Sequence, residues 1–325
     1  MPFNRRIKVG SIDYTSGQKK TLDIPRDGVL VQLNLRVKYT VTNGGTAPVG
    51  PFFQALARIL RRVDIVVAGR DTPISQSGEA LASRAHYEFG TLPDGMGDTV
   101  VLTASAATVY DVSIPIALFL PRSRDPMATA LDLRKIRQAT LEITWAPSDC
   151  TQLYTTPNSA AISAVTCDVE AVYMMDVPED RGFLVRQLSE IKHTIAATNS
   201  ALALTIDGQT GLVVRSLCHM LLDDSVGSNA ILDAGSIIVQ SGAFVFQDED
   251  GPALQAQNKI EFSLEALDTG VYYQPLTFAG DLAQAINTDP TLIPADLKAV
   301  YDATKQAGTN EILVSVEAIR QLKIA

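Results

Sequence analysis

Histidine, cysteine and tryptophan are scarce in this chain of 325 residues: three histidines, three cysteines and one tryptophan. Cys150, Cys167 and Cys218 form no CxxC pair and are odd in number, which argues against a disulfide framework or a cysteine-rich zinc cluster and leaves buried free thiols as the expectation. His86, His193 and His219 stand far apart without ligand spacing, so no metal residues are expected. Aromatic residues make up 6%, few for the stacking platforms of a polysaccharide cleft. A basic excess is missing too: 27 Lys and Arg stand against 36 Asp and Glu, a net charge of −9 and a pI near 4.9, so sequence-specific nucleic-acid binding is not expected. The most apolar windows, 100–121 and 231–246, are broken by Asp111 and Asp233 and fall short of the ~18 uninterrupted residues of a membrane span. The opening Met1-Pro2-Phe3-Asn4-Arg5-Arg6-Ile7-Lys8 is basic but lacks the apolar stretch of a secretion signal, so none is expected.

What the chain has is 46% apolar content, enough for a sizeable core, and a length that at about 150 residues per domain predicts two domains. It also has alternation. Val31, Leu33, Leu35, Val37 and Tyr39 fall on one side and Gln32, Asn34, Arg36 and Lys38 on the other, the pattern of a half-buried strand. The same period recurs at Val63/Ile65/Val67, Leu141/Ile143/Trp145, Val169/Ala171/Tyr173, Leu202/Leu204/Ile206, Ile260/Phe262/Leu264 and Ile312/Val314/Val316. Turn residues such as Asp27-Gly28, Asn43-Gly44-Gly45, Asp94-Gly95 and Asp207-Gly208 separate them, and many short strands so punctuated predict sandwiches.

Helical spacing appears over 127–139 and 294–307, each segment just ahead of a strand. This gives both halves one order: a strand (110–120, then 272–279), a loop, a helix and a strand (140–145, then 311–319). The order predicts an internal duplication. The polar stretch Asp176 to Gly182 between the halves carries Pro178 and Gly182, so the expected domains are residues 1–178 and 179–325. Charge divides unevenly, with net −1 over 1–180 and −8 over 181–325.

Chemistry-bearing motifs are absent. There is no GxSxG, GxGxxG or Walker sequence, and the glycine-rich stretches Asn43 to Thr46 and Gly95 to Gly97 lack the strand-to-helix setting that aims backbone N–H groups at phosphate. Cys218 and His219 are adjacent within a strand-like run, so they point to opposite faces and cannot meet as nucleophile and base. Asp248-Glu249-Asp250 does not match the spacing of a twelve-residue calcium loop and reads as a solvated turn. No catalytic, cofactor-binding or metal-binding residues are therefore expected, and no cofactor.

Four passages carry a resemblance: 22–35, read as an opening strand pair; 63–70, a strand and turn; 116–145, strand, helix and strand; and 281–316, which repeats that plan. Together they resemble the double jelly-roll major capsid proteins of tailless icosahedral bacteriophages, the corticovirus type and related lipid-containing phages. The resemblance implies an all-β chain of two tandem antiparallel eight-stranded jelly-roll sandwiches with a short helix in a late loop of each. It places the surplus length in the loops 150–166 and 280–293.

The function it implies is structural and non-enzymatic. Trimers with six jelly rolls form pseudo-hexagonal blocks that tile an icosahedral virion shell around an internal membrane, in a virion made in the host cytoplasm. The implied partners are further copies of the chain and penton and minor capsid proteins; the basic Arg5-Arg6-Ile7-Lys8 adds a reading of its own, contact with internal membrane lipid headgroups or genome, with a solvated terminus as the alternative. The alternative from another class is a two-domain β-sandwich that binds or cleaves carbohydrate, with a minor capsid or spike protein as a third reading.

Overall fold

The alternating segments become strands. The computed structural model describes residues 3–96, 100–177, 184–232, 235–264, 266–277 and 280–322. Its first half holds β1 (Phe3–Asp13), β2 (Lys19–Asp23), β3 (Val29–Thr42), β4 (Leu60–Val67), β5 (Asp71–Gln76), β6 (Ala107–Ala117), β7 (Ala139–Trp145) and β8 (Ala161–Met175). Its second half holds β9 (Leu184–Ile195), β10 (Asn199–Asp207), β11 (Val213–Asp223), β12 (Ser236–Ser241), β13 (Phe244–Asp250), β14 (Val271–Pro275), β15 (Leu297–Ala303) and β16 (Asn310–Gln321).

In the first half the strands order as β1-β8-β3-β6 and β2-β7-β4-β5, with every pair antiparallel. The second half repeats this strand for strand, as β9-β16-β11-β14 and β10-β15-β12-β13. Each is a jelly roll, two sheets closing on a shared core. On β3 the residues Leu33, Leu35, Val37 and Tyr39 are buried while Arg36 and Lys38 are exposed, as alternation requires. They meet Val63, Ile65, Leu141, Ile143 and Trp145 of the facing sheet in one apolar cluster. A second cluster, with Leu204, Val239, Tyr301, Ile312 and Val314, fills the other sandwich.

The two sandwiches are joined through the backbone. A parallel pairing of Leu188 on β9 with Ile74 on β5 merges the sheet β2-β7-β4-β5 with β9-β16-β11-β14 into one ten-stranded sheet. The predicted domain boundary at 178/179 lies outside the described residues. Val185 and Leu188, beyond it, and Leu322, at the far end of the chain, pack into the first core.

The helices differ from expectation. Over 127–139 the chain forms turns, a two-residue strand, Leu131–Asp132, which extends the ladder of β3, and one 3-10 turn, Leu133–Lys135. The Asp132 carboxylate accepts from Arg134 N at 3.2 Å and from the Arg134 guanidinium at 2.8 Å, a local bond that competes with helix propagation. The second predicted helix, 294–307, contains the central strand β15. Leu297, Ala299, Tyr301 and Ala303 are buried at period two, and flanking pairing with β10 and β12 decides between two periodicities the sequence allows.

The α-helices among the described residues are α1 (Gly78–Phe89) and α2 (Gly251–Glu261). Each half has one, between its fifth and sixth strands, whereas the predicted helices stood ahead of β7 in the first half and of β16 in the second. The end of α2 overturns the strand predicted at Ile260/Phe262/Leu264: Leu254, Asn258 and Phe262 are buried at intervals of four, and Ile260 is 82% exposed. Ser77 caps α1 by accepting from Ala80 N at 3.3 Å, and Gly90 ends it at φ 75°, where glycine carries no Cβ penalty. The basic N-terminus is not a free arm, since Phe3–Asp13 pairs along β8. The loop 150–166 supplies a short strand, Tyr154–Thr156, that pairs with Val49–Pro51.

Candidate functional site

The residues that carry charge into the interior converge where α1 of the first sandwich meets the sheet β9-β16-β11-β14 of the second. Arg84 on α1 donates from Nε to Ser315 Oγ at 2.8 Å, from Nη2 to Ser315 O at 2.7 Å and from Nη1 to Ser216 Oγ at 2.9 Å. Arg186 on β9 donates from Nε to Glu317 Oε1 at 2.7 Å, from Nη1 to Ala117 O at 2.8 Å and from Nη2 to Glu88. Arg215 on β11 reaches Glu317 Oε1 at 2.8 Å and the carbonyl of Pro121. The Ser216 hydroxyl donates to Glu317 Oε2 at 2.6 Å and accepts from Tyr273 OH at 3.0 Å.

Three guanidiniums and two carboxylates thus share one buried volume. Arg84 and Arg186 are 1% exposed and Glu317 0%. Burial pushes the Glu317 carboxyl up, but the guanidiniums of Arg186, Arg215 and Arg84 and the Ser216 hydroxyl override it and hold the group well below the usual carboxylate range. Replacing one member would leave its partners buried and unpaired, a loss of about 3–5 kcal/mol. Apolar contacts surround the network: Ala80 and Tyr87 of α1 pack with Cys218, Met220, Phe262 and Leu313. Tyr87 and Tyr273 stack at 5.3 Å. Arg122 ties both helices together, donating to the backbone carbonyls of Glu88 at 3.1 Å and Phe262 at 3.3 Å. The Ser216 hydroxyl beside the Glu317 carboxylate is enclosed in the same network of guanidiniums. What the network does is fix one sandwich against the other.

The residues singled out in the sequence fall elsewhere or take structural parts. All three cysteines are buried, and burial pushes each thiol up to about 12. Cys218 faces the junction, whereas its neighbour His219 turns into the second core, bonded to Tyr301 OH at 2.8 Å and Gln274 Oε1 at 3.2 Å. Burial lowers the His219 imidazole to about 4. His86 Nδ1 lies 3.0 Å from Asp268. Asp248, Glu249 and Asp250 end β13 and lead into α2. Among the described residues no group of three or more His, Cys, Asp or Glu is placed to hold a metal. The ion network itself escaped the sequence reading, because its members are spread from Arg84 to Glu317. The one local signal was a helix whose inner face carries Arg84 and Glu88 at i, i+4.

The repeat exposes an asymmetry. Counted from their N-caps, Ser77 and Asp250, the two helices align Leu81 with Leu254, Tyr87 with Ile260, Glu88 with Glu261 and Phe89 with Phe262. Residues 80–88 of α1 are all buried, held between the two sandwiches. On α2 only Gly251, Leu254 and Asn258 are. The face of α2 that corresponds to the docked face of α1 borders an open groove of about 960 Å³, lined by Phe246, Gln257, Ile260, Glu261, Pro275 and Thr277 among others. Phe244 and Val245 on the neighbouring edge strand β13 are 58% and 49% exposed.

No family model matches the chain, and neither does any curated protein. Solved structures do. The crystal structure of the STIV (Sulfolobus Turreted Icosahedral Virus) MCP matches 98% of this chain and 96% of its own, with a TM-score of 0.74 at 14% identity. The major capsid protein of Bacteriophage PM2 matches over 99% and 98%, at TM-score 0.64 and 11% identity. The quasi-atomic model of the PBCV-1 virus capsid matches over 100% and 97%, at TM-score 0.63 and 13% identity. These likenesses show the fold, the double jelly roll found in major capsid proteins of icosahedral viruses.

Proposed function

We propose that this chain is a structural major capsid protein that catalyses nothing, trimerises and tiles an icosahedral virion shell. The observation that carries the proposal is the unequal treatment of α1 and α2. Within the chain, the β5/α1 side of one sandwich docks on the sheet β9-β16-β11-β14 of the next. The β13/α2 side of the second sandwich and the sheet β1-β8-β3-β6 of the first are the two halves of the same contact, both without a partner sandwich in the chain. A second copy supplies the missing half. Such a contact joins unlike surfaces, and a head-to-tail contact closes into a ring when its rotation permits. Six sandwiches in a ring make three chains, the number that the resemblance to double jelly-roll capsid proteins implies. The units would be the two sandwiches divided near residue 178, each with its own apolar cluster.

The shell would place the protein in the virion, after synthesis in the host cytoplasm, with penton and minor capsid proteins as further neighbours. β1 fits a protein partner better than lipid, since Arg5 is already paired with Asp27 at 3.4 Å and Lys8 with Asp168 at 2.8 Å. Size-exclusion chromatography with light scattering tests the proposal. The expected species has three times the 34.9 kDa chain mass. A monomer at all concentrations that binds a glycan in calorimetry would replace it with the carbohydrate reading.

A further inference from the structure

The two sandwiches match rung by rung, and the match locates one intermolecular contact. Across β9, β16, β11 and β14, Leu188, Glu317, Ser216 and Pro275 form one rung. Across β1, β8, β3 and β6 the corresponding rung is Lys8, Glu170, Asn34 and Pro115. Glutamate recurs on the second strand and proline on the fourth. Two residues before the rung on the first strand stands Arg186 in one sandwich and Arg6 in the other. Ile7 and Val9 pack inward on the first core, so Arg6 and Lys8 lie on the outward face of β1, where both are exposed.

Arg186 joins its own sheet to the docked helix: it bonds Glu317 beside it, Glu88 on α1, and the carbonyl of Ala117 two residues past Pro115. Every one of these partners has a counterpart on the unfilled contact. Glu170 stands for Glu317, Glu261 for Glu88, each eleven residues past its helix cap, and Thr277, two residues past Pro275, for Ala117. Glu261, Pro275 and Thr277 all line the open groove beside α2. The chain therefore holds one complete Arg–Glu–Glu bridge and a second set of the same residues split between its two ends.

We propose that Arg6 of one copy enters the α2 groove of the next and pairs with Glu261, repeating between chains the Arg186–Glu88 bridge made within each. This rests on the self-assembly reading above. Of the cations on the first sheet, Lys8 is bonded to Asp168 and Arg36 to Asp111, so the charge argument rests on Arg6, which would meet a partner surface bearing Asp248, Glu249, Asp250 and Glu261.

The test is a charge exchange in the full-length protein, read by analytical ultracentrifugation. R6E and E261R should each weaken association by roughly 30-fold or more, the low end for breaking a buried interfacial charge pair. The double variant R6E/E261R should recover most of it. Singles that associate like the wild type, or a double variant no better than either single, would overturn the inference while leaving the trimer intact. A wild type that never associates rejects the self-assembly reading itself. An independent arm uses R6K with a zero-length carbodiimide: mass spectrometry should find a peptide joining position 6 to Glu261 in the trimer and not in the diluted monomer. Its absence from a cross-linked trimer would equally sink the pairing.

Discussion

Changing Glu317 to Gln removes one negative charge from a volume that holds three guanidiniums and leaves Glu88 as their one carboxylate. Gln keeps the size, but Arg186 and Ser216 bond to separate oxygens of Glu317 and an amide has one, so the change removes the charge together with one acceptor. With Glu317 at 0% exposure there is little solvent to compensate, and the uncovered guanidiniums of Arg186 and Arg215 set the loss at about 3–5 kcal/mol, a large part of the ~5–15 kcal/mol that holds most domains folded. Urea unfolding followed by circular dichroism reads it as a lower midpoint at unchanged slope. The pH dependence supplies a second signature. Glu317 has a folded pKa held below its ordinary value of 4.5, so its contribution is fully present above that value and is lost as the pH falls toward the folded one. The wild type should therefore lose stability below about pH 4.5 more steeply than E317Q. An E317Q protein within about 1 kcal/mol of wild type at pH 7, with the same acid limb, would refute the view that this network holds the junction.

His219 supplies a second acid-sensitive element. Its imidazole is lowered to about 4 by burial, so stability should fall as the pH drops from about 6.5 to 4, by about 3 kcal/mol in all, and H219N should flatten that limb in titrated urea melts. The three thiols, each pushed up to about 12, should stay silent to a thiol-disulfide reagent in the native protein and react together on unfolding. Ile260 is 82% exposed on α2, so I260D should leave the melting of the monomer within about 0.5 kcal/mol of wild type and remove self-association in light scattering. Trimers of I260D would show that the α2 face is not the contact.

Strands were legible wherever one face meets a core and the other meets water. On β3 every second residue from Leu33 to Val41 is buried, and β4, β7 and β8 follow the same rule. The rule fails where both faces are covered. On α1 the interior includes Arg84, His86 and Glu88, so polar residues sit where an amphipathic pattern would place none, and only the Ser77 cap and Gly90 marked its ends. On β15 the burial of Val300 as well as Ala299 and Tyr301 blurs period two into something that fits a helix equally well. The duplication was visible in the match of 110–120 with 272–279, but 140–145 corresponds to the strand inside the predicted helix 294–307 and not to 311–319, and both helices lie earlier, at 78–89 and 251–261. The junction network is long-range by nature, joining residues 84 to 317, and no window of sequence holds more than one or two of its members.

The border strands β1 and β13 differ in charge, and under the self-assembly reading that difference bears on symmetry. β1 carries Arg5, Arg6 and Lys8, with Arg5 held by Asp27 and Lys8 by Asp168, while β13 ends in Asp248, Glu249 and Asp250. If copies associate as proposed, the mixed pairing is the one that gains from this difference, and each subunit would then have a head and a tail.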